Sequence, residues 1–249
     1  MNKKVLGIIP ARLNSTRLPQ KLIKKINGKP LIYHTWNQAL KAKTLNQVII
    51  ATDDKQIFNL CKEFGAYVVM TSSKIKCGSD RVAVAAKKFK LFKPDIVVNI
   101  QGDEPMIPPQ AIDDCVEALI KDREAVVSTP ATTFLSPLDF KSPSFVKVVA
   151  NKKGHALYFS RAIIPYPREK FNDYHKHLGL YVYKADFLQK YVKLPQTKLE
   201  QAEKLEQLRI LENDYKIKLV VGNYRNMEVN TPGELRRARQ MMRLPYGSD

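Results

Sequence analysis

The sequence is poor in cysteine and lacks the long apolar runs of membrane proteins. Its 249 residues include three cysteines, Cys61, Cys77 and Cys115, which lie far apart and form no CxxC pair. This number and spacing give neither a disulfide framework nor a zinc site. No window approaches ~18 uninterrupted apolar residues, so we predict no membrane span. No signal-peptide pattern precedes the first strand-like segment, which predicts a cytoplasmic protein.

Acidic residues are also few in comparison with basic ones. The chain has 42 lysines and arginines against 24 aspartates and glutamates, a net charge of +18. This excess favours an anionic partner, either a nucleic acid, an anionic lipid or a phosphorylated small molecule. A lysine-rich solvated surface is the alternative. The cations are spread along the chain, and no arginine-rich or aromatic RNA-binding segment stands out, so we expect no nucleic-acid partner.

Strand-like and helix-like segments alternate over the first 130 residues. Short apolar runs are separated by segments with apolar residues at helical spacing, such as Ile57, Leu60, Cys61 and Phe64. The apolar runs are 5–9, 48–51, 67–70, 96–100 and 125–129. Continuous apolar strands between amphipathic helices are typical of a parallel sheet covered on both faces. We therefore predict an α/β fold with a mostly parallel, doubly wound sheet.

The alternation breaks after residue 130. Runs 146–150, 156–159 and 178–183 are separated by turns that contain Pro and Asn, which predicts an antiparallel insertion. Helices are expected at 185–191 and 199–211, and a last strand pair at 218–221 and 227–229. The final helix has start signals in Thr231, Pro232 and Glu234. We predict a single domain, with a core of residues 1–130 and 212–249 and an inserted lobe of residues 131–211.

The loop after the first strand has the chemistry of a triphosphate site. In an open α/β sheet, ligands bind beyond the carboxyl ends of the strands. The cations and hydroxyls of this loop are Arg12, Arg17, Lys21, Ser15 and Thr16. It is neither a Walker A loop nor GxGxxG. Since it has no apolar rhythm, we expect Arg12 and Lys21 to be ligands rather than core support, with a solvated basic loop as the alternative.

Two further loops could contact a nucleotide or its metal. The fourth strand runs into Gln101, Gly102 and Asp103, and a carboxylate at a strand tip after a glycine suits a hard cation. An Asx-type turn is the alternative for Asp103. Ser79 and Arg81 open a helix whose backbone donors suit a base or a phosphate. Simple capping by Ser79 is the alternative there.

The inserted lobe offers side chains that suit a sugar acid. The planar fork of Arg161 matches a carboxylate. His177 and Tyr181 are four residues apart and are expected on one face of a strand. Glu206 and Gln207 lie beside an apolar ridge and could bind hydroxyls, although a helix-surface ion pair of Glu206 with Arg209 is the alternative.

Together these segments resemble the 3-deoxy-manno-octulosonate cytidylyltransferase family, the CMP-Kdo synthetases, over roughly residues 4–241. The segments that carry the resemblance are 8–12, 15–19 with Lys21, 51–53, 101–105, 156–161, 177–179, 205–209 and 231–232. The first loop is shared with other sugar nucleotidyltransferases. The insertion and the Leu-Glu-Gln-Leu-Arg segment distinguish the octulosonate branch from the sialate branch.

The resemblance implies a nucleotide-sugar transferase fold that moves CMP from CTP to an anionic octulosonic acid (Kdo) in lipopolysaccharide biosynthesis. It implies magnesium as cofactor and a homodimer built through the inserted lobe. The roles it implies are nucleotide binding by Arg12, Ser15, Lys21, Ser79, Arg81 and Gln101, metal binding by Asp103 and Asn230, and sugar binding by Arg161, His177, Tyr181, Glu206 and Gln207; Arg12, Lys21 and Asp103 act in catalysis. An 8-amino octulosonate or a sialate-like acid is the alternative substrate. A non-catalytic nucleic-acid binding protein is the alternative from another class.

Four positions depart from the family pattern. Gln20 replaces a usual Gly, Cys77 a usual Ser, Ser79 a usual Thr, and Asn230 the second magnesium-binding Asp. An amide oxygen can still ligate magnesium, but it brings no negative charge. We therefore expect an enzyme with a high magnesium requirement.

Overall fold

The computed structural model describes residues 3–13, 15, 17–75, 77–134 and 137–242, with only the backbone at 137 and 138. Thr16, a predicted loop hydroxyl, lies outside the described residues. The strands are β1 (Val5–Ala11), β2 (Lys25–Ile26), β3 (Lys29–Pro30), β4 (Gln47–Thr52), β5 (Tyr67–Met70), β6 (Ile96–Asn99), β7 (Ala125–Thr133), β8 (Lys147–Ala150), β9 (Ala156–Ser160), β10 (His175–His177), β11 (Tyr181–Lys184) and β12 (Lys216–Val221).

None of the helices among the described residues is long and apolar enough to cross a membrane. They are α1 (Leu31–Ala39), α2 (Lys55–Glu63), α3 (Gly78–Lys88), α4 (Pro109–Lys121), α5 (Pro137–Lys141), α6 (Ala185–Tyr191), α7 (Lys198–Glu203), α8 (Leu208–Glu212) and α9 (Pro232–Met241). The chain forms two compact units, the first of Met1–Pro109 with Arg225–Asp249 and the second of Gln110–Tyr224. Their boundaries differ from the predicted division at residues 130 and 212, because α4, β7 and β12 belong to the second unit.

The first unit is built on a parallel sheet with the strand order β5-β4-β1-β6. Ile8 of β1 lies in register with Ile49 of β4 and with Asn99 of β6. Ile8, Ile9 and Ile49 are fully buried, as the continuous apolar runs predict. Because the strands are parallel, the loops that follow β1, β4 and β6 leave the sheet at the same edge.

The last segment of the first unit is not the strand that the sequence predicts at 227–229. Residues 222–230 form no strand. Instead, the Val229 N–H donates a single hydrogen bond of 2.9 Å to the carbonyl of Asp103. The capping box of α9 is confirmed, since the Thr231 hydroxyl accepts from Glu234 N while the Glu234 carboxylate accepts from Thr231 N. This cap and the Asp103 contact fix the backbone on both sides of Asn230.

The second unit is centred on β7. The parallel strand β12 occupies one edge of β7, and β11 and β10 pair with its other edge in antiparallel orientation. The predicted strand at 178–183 is therefore confirmed only for residues 181–183, which belong to β11, whereas residues 178–180 form the break between β10 and β11. Opposite the break lies Pro130, which has no N–H to donate, and Leu178 N donates to its carbonyl. Beyond β10 come β8 and β9.

The predicted continuous helix at 199–211 is also wrong. It is divided into α7 and α8, with Lys204 in a left-handed conformation (φ 54°) at the end of α7. A left-handed residue at this position ends a helix. Leu205, Glu206 and Gln207 therefore belong to the connection between two short helices.

Candidate active site

Three predicted residues meet at the strand edge of the first unit. The Lys21 ammonium donates to the Asp103 carboxylate and, over 2.8 Å, to Oδ1 of Asn230. Lys21 is 9% exposed and Asn230 is 8% exposed, while the side chain of Asp103 is 18% exposed. The cluster thus places a carboxylate oxygen, an amide oxygen and an ammonium group in direct contact, with partial access to solvent.

Local backbone geometry places Lys21 in this cluster. A 3-10 turn over Lys21–Ile23 follows Gln20, which has φ 55° and ψ 34° in the left-handed region. Glycine adopts this conformation without steric cost, whereas other residues pay about 1–2 kcal/mol. The left-handed turn at position 20, which directs Lys21 into the cluster, therefore explains why the family usually has a glycine there.

Glu228 is a fourth member of the cluster that the sequence did not indicate. Its carboxylate is close enough to Asp103, Lys21 and Arg17 for their charges to influence it. Although Glu228 as a residue is exposed, nearby protein atoms displace water from its carboxyl. This desolvation, and then repulsion from Asp103, raise the pKa of Glu228 above its ordinary value.

Gly102 is required by the protein rather than by a ligand. A Cβ at this position would lie 3.0 Å from the carbonyl oxygen of Pro10 and 3.2 Å from Cδ1 of Ile32. The carbonyl of Gly102 accepts a 3.0 Å hydrogen bond from the buried Thr35 hydroxyl. The close packing of β1 and α1 against this position therefore accounts for the glycine.

A second network joins the loops after β1, β4 and β5. Arg12 and Arg81 both donate to the carbonyl of Ile75. Arg81 is fully buried, donates to Asp53 over 2.7 Å and also donates to the Thr71 hydroxyl. Its guanidinium therefore holds these loops together. Because the guanidinium is fully buried, direct contact with a nucleotide would require a rearrangement, and this role of Arg81 stays a prediction.

The other nucleotide candidates are Ser15 on the loop after β1, Gln101 on the loop after β6, and Ser79 in α3. Ser15 and Gln101 are half-buried. Ser79 is 5% exposed in the first turn of α3, and the residue at the cap of that helix is Cys77. Capping by Ser79 is therefore excluded, and its assignment to the nucleotide stays a prediction.

Arg161 in the second unit is largely engaged by the chain itself. Its Nε donates to the carbonyl of Glu203 and its Nη1 to the carbonyl of Pro143, at 2.9 and 3.0 Å. The Glu203 carboxylate accepts from Arg161 N and from the Ser160 hydroxyl. Among the described residues, Nη2 has no partner, so only part of the guanidinium fork could bind a carboxylate.

His177 and Tyr181 lie close together, as the sequence predicts, although on two strands rather than one. Their ring centroids are 5.4 Å apart. The ring nitrogen Nε2 of His177 is 2.9 Å from the Thr129 hydroxyl, whose oxygen lies 2.7 Å from the carbonyl of Leu180. Since the hydroxyl has one hydrogen to give to Leu180, Nε2 of His177 is assigned as the donor to Thr129. The imidazole is thus held in one orientation.

Glu206 and Gln207 follow the left-handed break after α7. The Tyr191 hydroxyl donates to the carbonyl of Glu206 over 2.9 Å. Gln207 is 3% exposed, and its amide nitrogen is buried without a hydrogen-bond partner among the described residues. Arg209, the partner in the alternative ion pair, donates its guanidinium hydrogen bonds to Glu200. Gln207 is therefore a buried donor that a ligand oxygen could satisfy.

Comparisons with known proteins decide the family. A family model described as "Cytidylyltransferase" matches residues 6–217. The 3-deoxy-manno-octulosonate cytidylyltransferase of Geotalea daltonii is 43% identical over 93% of this chain and 95% of its own length. The protein of the same name from Chlorobaculum parvum is 43% identical over 98% of this chain and 99% of its own length. The chain belongs to the 3-deoxy-manno-octulosonate cytidylyltransferase family.

A solved structure supports the assignment to the 3-deoxy-manno-octulosonate cytidylyltransferases. CMP:2-keto-3-deoxy-manno-octonic acid synthetase, solved in complex with CTP, has a TM-score of 0.91 and 38% identity to this chain. The match covers 96% of this chain and 98% of that one. The predicted α/β class with a mostly parallel sheet is thereby confirmed.

Some residues of this cytidylyltransferase act through contacts that its sequence does not indicate. Asp53 lies in a segment that carries the family resemblance, but only the structure shows it paired with Arg81. Glu203 and Glu228 belong to segments without any recognised motif. For Glu228 the available signal was its position two residues before the atypical Asn230.

Burial of His177 in this cytidylyltransferase predicts a pH-dependent stability. Desolvation lowers the pKa of His177 from 6.5 to about 3. Between these values the unfolded chain binds more protons than the native one, so stability falls as pH decreases, by up to about 1.4 kcal/mol per pH unit. We expect His177→Gln, which keeps an N–H donor for Thr129, to lose less stability than the natural protein between pH 7.5 and 5. Urea unfolding at both pH values measures this, and equal losses would contradict it.

Proposed function

We propose that this protein transfers CMP from CTP to 3-deoxy-D-manno-octulosonate (Kdo), releasing pyrophosphate and CMP-Kdo. The observation that carries the proposal is the Lys21, Asp103 and Asn230 cluster at the carboxyl edge of the parallel sheet, the place where such folds bind ligands. The relatives with this name match nearly the whole chain. In the reaction, the anomeric hydroxyl attacks the α-phosphorus in line and pyrophosphate leaves.

Magnesium is the proposed cofactor, and the residues of the cluster fit it. Hard cations prefer carboxylate and amide oxygens, which Asp103 and Asn230 provide. The proposal is supported by the ammonium of Lys21, a positive charge that both oxygens already contact. A magnesium ion bound to these residues would withdraw charge from the phosphate.

The chain's own cations have a defined task in this reaction. Phosphoryl-transfer enzymes act mainly by positioning and by neutralising charge. We propose that Lys21 and Arg12 neutralise the triphosphate and the departing pyrophosphate, and that Arg81 keeps their loops in place through Asp53 and Ile75. Each preorganised contact of this kind typically lowers the barrier by about 3 kcal/mol.

For the sugar acid we propose Arg161, His177, Tyr181, Glu206 and Gln207 of the second unit. Gln207 has specific support, because its buried amide nitrogen lacks a partner among the described residues. A buried donor without a partner lowers the stability of the protein by about 1–3 kcal/mol. A sugar hydroxyl or carboxylate that accepts its hydrogen bond would remove this penalty on binding.

Gln207→Leu should therefore separate stability from binding. Removing the unsatisfied donor should leave the free energy of unfolding unchanged or slightly increased. The reason is that leucine is apolar and of similar size, so it can be buried here without a hydrogen-bond partner. The Michaelis constant for Kdo should rise at least about 10-fold, since one lost hydrogen bond costs about 1.4 kcal/mol or more, while that for CTP stays constant. Equal rises for both substrates would assign Gln207 to the fold instead.

The setting of the reaction is also proposed. We infer a homodimer formed through the second unit, a cytoplasmic location where CTP is available, and a role in lipopolysaccharide biosynthesis. Membership of the family supports these proposals. Sedimentation of the purified protein tests the dimer.

A substrate panel tests the function directly. The purified protein, CTP and magnesium are incubated with Kdo, with its 8-amino analogue, with a sialic acid, or without a sugar, and pyrophosphate release is measured. We expect release with Kdo and none without sugar. Release only with another acid would identify that acid as the substrate. Thermal stabilisation by an oligonucleotide but not by CTP with magnesium would instead support a nucleic-acid binding protein.

A further inference from the structure

Lys147 is a fully buried lysine in β8 of the second unit. It lies opposite Ser160 of β9, next to the residue that follows, Arg161. Its ammonium donates to the carbonyls of Ser142, Phe145 and Arg161, at 2.7, 2.9 and 2.9 Å. An ammonium has three N–H donors, so these three hydrogen bonds use all of them. Lysine is rarely buried completely, which makes this set of acceptors informative.

All three acceptors of Lys147 bear on Arg161. One is the carbonyl of Arg161 itself. The other two, at Ser142 and Phe145, lie on either side of Pro143 in the sequence. The carbonyl of Pro143 accepts from Nη1 of Arg161 over 3.0 Å. Lys147 therefore joins the backbone of Arg161 to the segment that holds one arm of its guanidinium.

Glu203 binds Arg161 from the other side. Its carboxylate accepts from Arg161 N at 2.9 Å and from the Ser160 hydroxyl at 2.5 Å, while its carbonyl accepts from Nε of Arg161 at 2.9 Å. The backbone N–H and the carbonyl of Arg161 are thus both bound to charged side chains, and such hydrogen bonds are stronger than neutral ones. With Nε and Nη1 also engaged, Nη2 is the guanidinium nitrogen left to bind a ligand.

The charge of Lys147 is kept at a cost. Burial, and then repulsion from the Arg161 guanidinium, lower the pKa of Lys147, so its surroundings disfavour the charged form. Binding sites keep their ligand-contacting side chains in one geometry through the hydrogen bonds of neighbouring residues. The cost is explained if the orientation of Arg161 matters to a ligand.

We propose that Lys147 and Glu203 are positioning residues that hold the Arg161 guanidinium so that Nη2 faces the carboxylate of the sugar acid. The inference rests on the proposed function, in which Arg161 binds that carboxylate. Hydrogen bonds from the planar guanidinium to a carboxylate depend on its orientation. Lys147 and Glu203 act through Arg161, so their loss should impair recognition of the sugar acid and leave that of CTP unchanged.

A double-mutant cycle on the full-length protein tests the proposal, with pyrophosphate release as the measurement. Lys147→Met removes the ammonium and keeps the length of the side chain. It should raise the Michaelis constant for Kdo at least about 10-fold, since a misplacement of about 1 Å can cost about 100-fold. The constant for CTP should stay within about twofold. In an Arg161→Met background, Lys147→Met should change the constant for Kdo less than about twofold, because the positioned group is gone.

Two further variants complete the test. Lys152→Met, at an exposed lysine between β8 and β9, is the matched control and should leave both Michaelis constants within about twofold. Glu203→Gln weakens the other side, because it replaces a charged acceptor by a neutral one, and should raise the constant for Kdo about 3- to 10-fold. Glu203 is half-buried, so this variant decides the question if circular dichroism shows that Lys147→Met does not fold.

The outcomes separate this proposal from the proposed function. Equal rises of both Michaelis constants, unchanged constants in a folded variant of Lys147 or Glu203, or an undiminished effect of Lys147→Met in the Arg161→Met background would overturn the positioning role alone. If the natural protein releases no pyrophosphate with any acid of the substrate panel, the proposed function fails and the positioning role fails with it.

Discussion

Replacing Lys21 with methionine should reduce the turnover number for CMP transfer by about 100- to 1,000-fold. Removing one preorganised charge that stabilises a transition state has an effect of this size. Lys21 contacts both proposed metal-binding oxygens and lies on the loop proposed to hold the triphosphate. Methionine keeps much of the volume of the side chain and removes only the charge and its donors. Pyrophosphate release at saturating CTP, Kdo and magnesium measures the effect.

The matched control is Lys25→Met, an exposed lysine four residues along the chain. It should keep turnover within about twofold of wild type, because a solvated surface charge contributes little. Lys21→Met should also lower the free energy of unfolding by about 1–3 kcal/mol, since it leaves Asp103 and Asn230 without a donor. A turnover within threefold of wild type would show that Lys21 serves the fold and not the reaction.

Glu200→Gln should destabilise the protein by about 3–5 kcal/mol, the cost of removing one partner of a buried ion pair. Glu200 is 3% exposed and accepts two hydrogen bonds from Arg209, which is 7% exposed. The substitution places an amide N–H₂ where the guanidinium needs an acceptor. It also weakens the capping box of α7, since Glu200 accepts from Thr197 N.

Urea unfolding measures this change in stability. The control is Glu117→Gln, which breaks an exposed pair with Lys121 on α4 and should cost less than about 1 kcal/mol. Similar changes for both variants would mean that the Arg209 charge finds another partner. The turnover of the control variant Glu117→Gln, measured well below its melting temperature, should also remain close to that of the wild type.

Residues that meet at the strand edge could be predicted because parallel strands end together. Lys21 and Asp103 come from different loops. Because loops that follow parallel strands leave the sheet at the same edge, both were predicted there, and the structure brings them into contact. The capping box at Thr231 was also predictable, since it depends on residues that are neighbours in sequence. Local patterns and regular topology therefore account for the elements and the main cluster.

Contacts between side chains from distant segments could not be predicted. The loop sequence indicated that Lys21 was only a ligand, whereas its burial gives it a structural part as well. Arg81 looked like a phosphate ligand until Asp53 and Thr71 were seen around it. The break at Lys204 depends on a left-handed backbone conformation that lysine rarely adopts, so no propensity indicates it.

The cysteines of the chain differ enough in reactivity to make one of them a specific label. Cys61 and Cys115 are fully buried, and burial raises the pKa of the Cys61 thiol to about 12 and that of Cys115 above its ordinary value. Cys77 is half-buried at the start of α3, beside the loop that carries Ile75. Thiol reagents should therefore alkylate Cys77 first. The rate of that alkylation, with and without CTP, reports nucleotide capture in the unmodified sequence without an engineered cysteine.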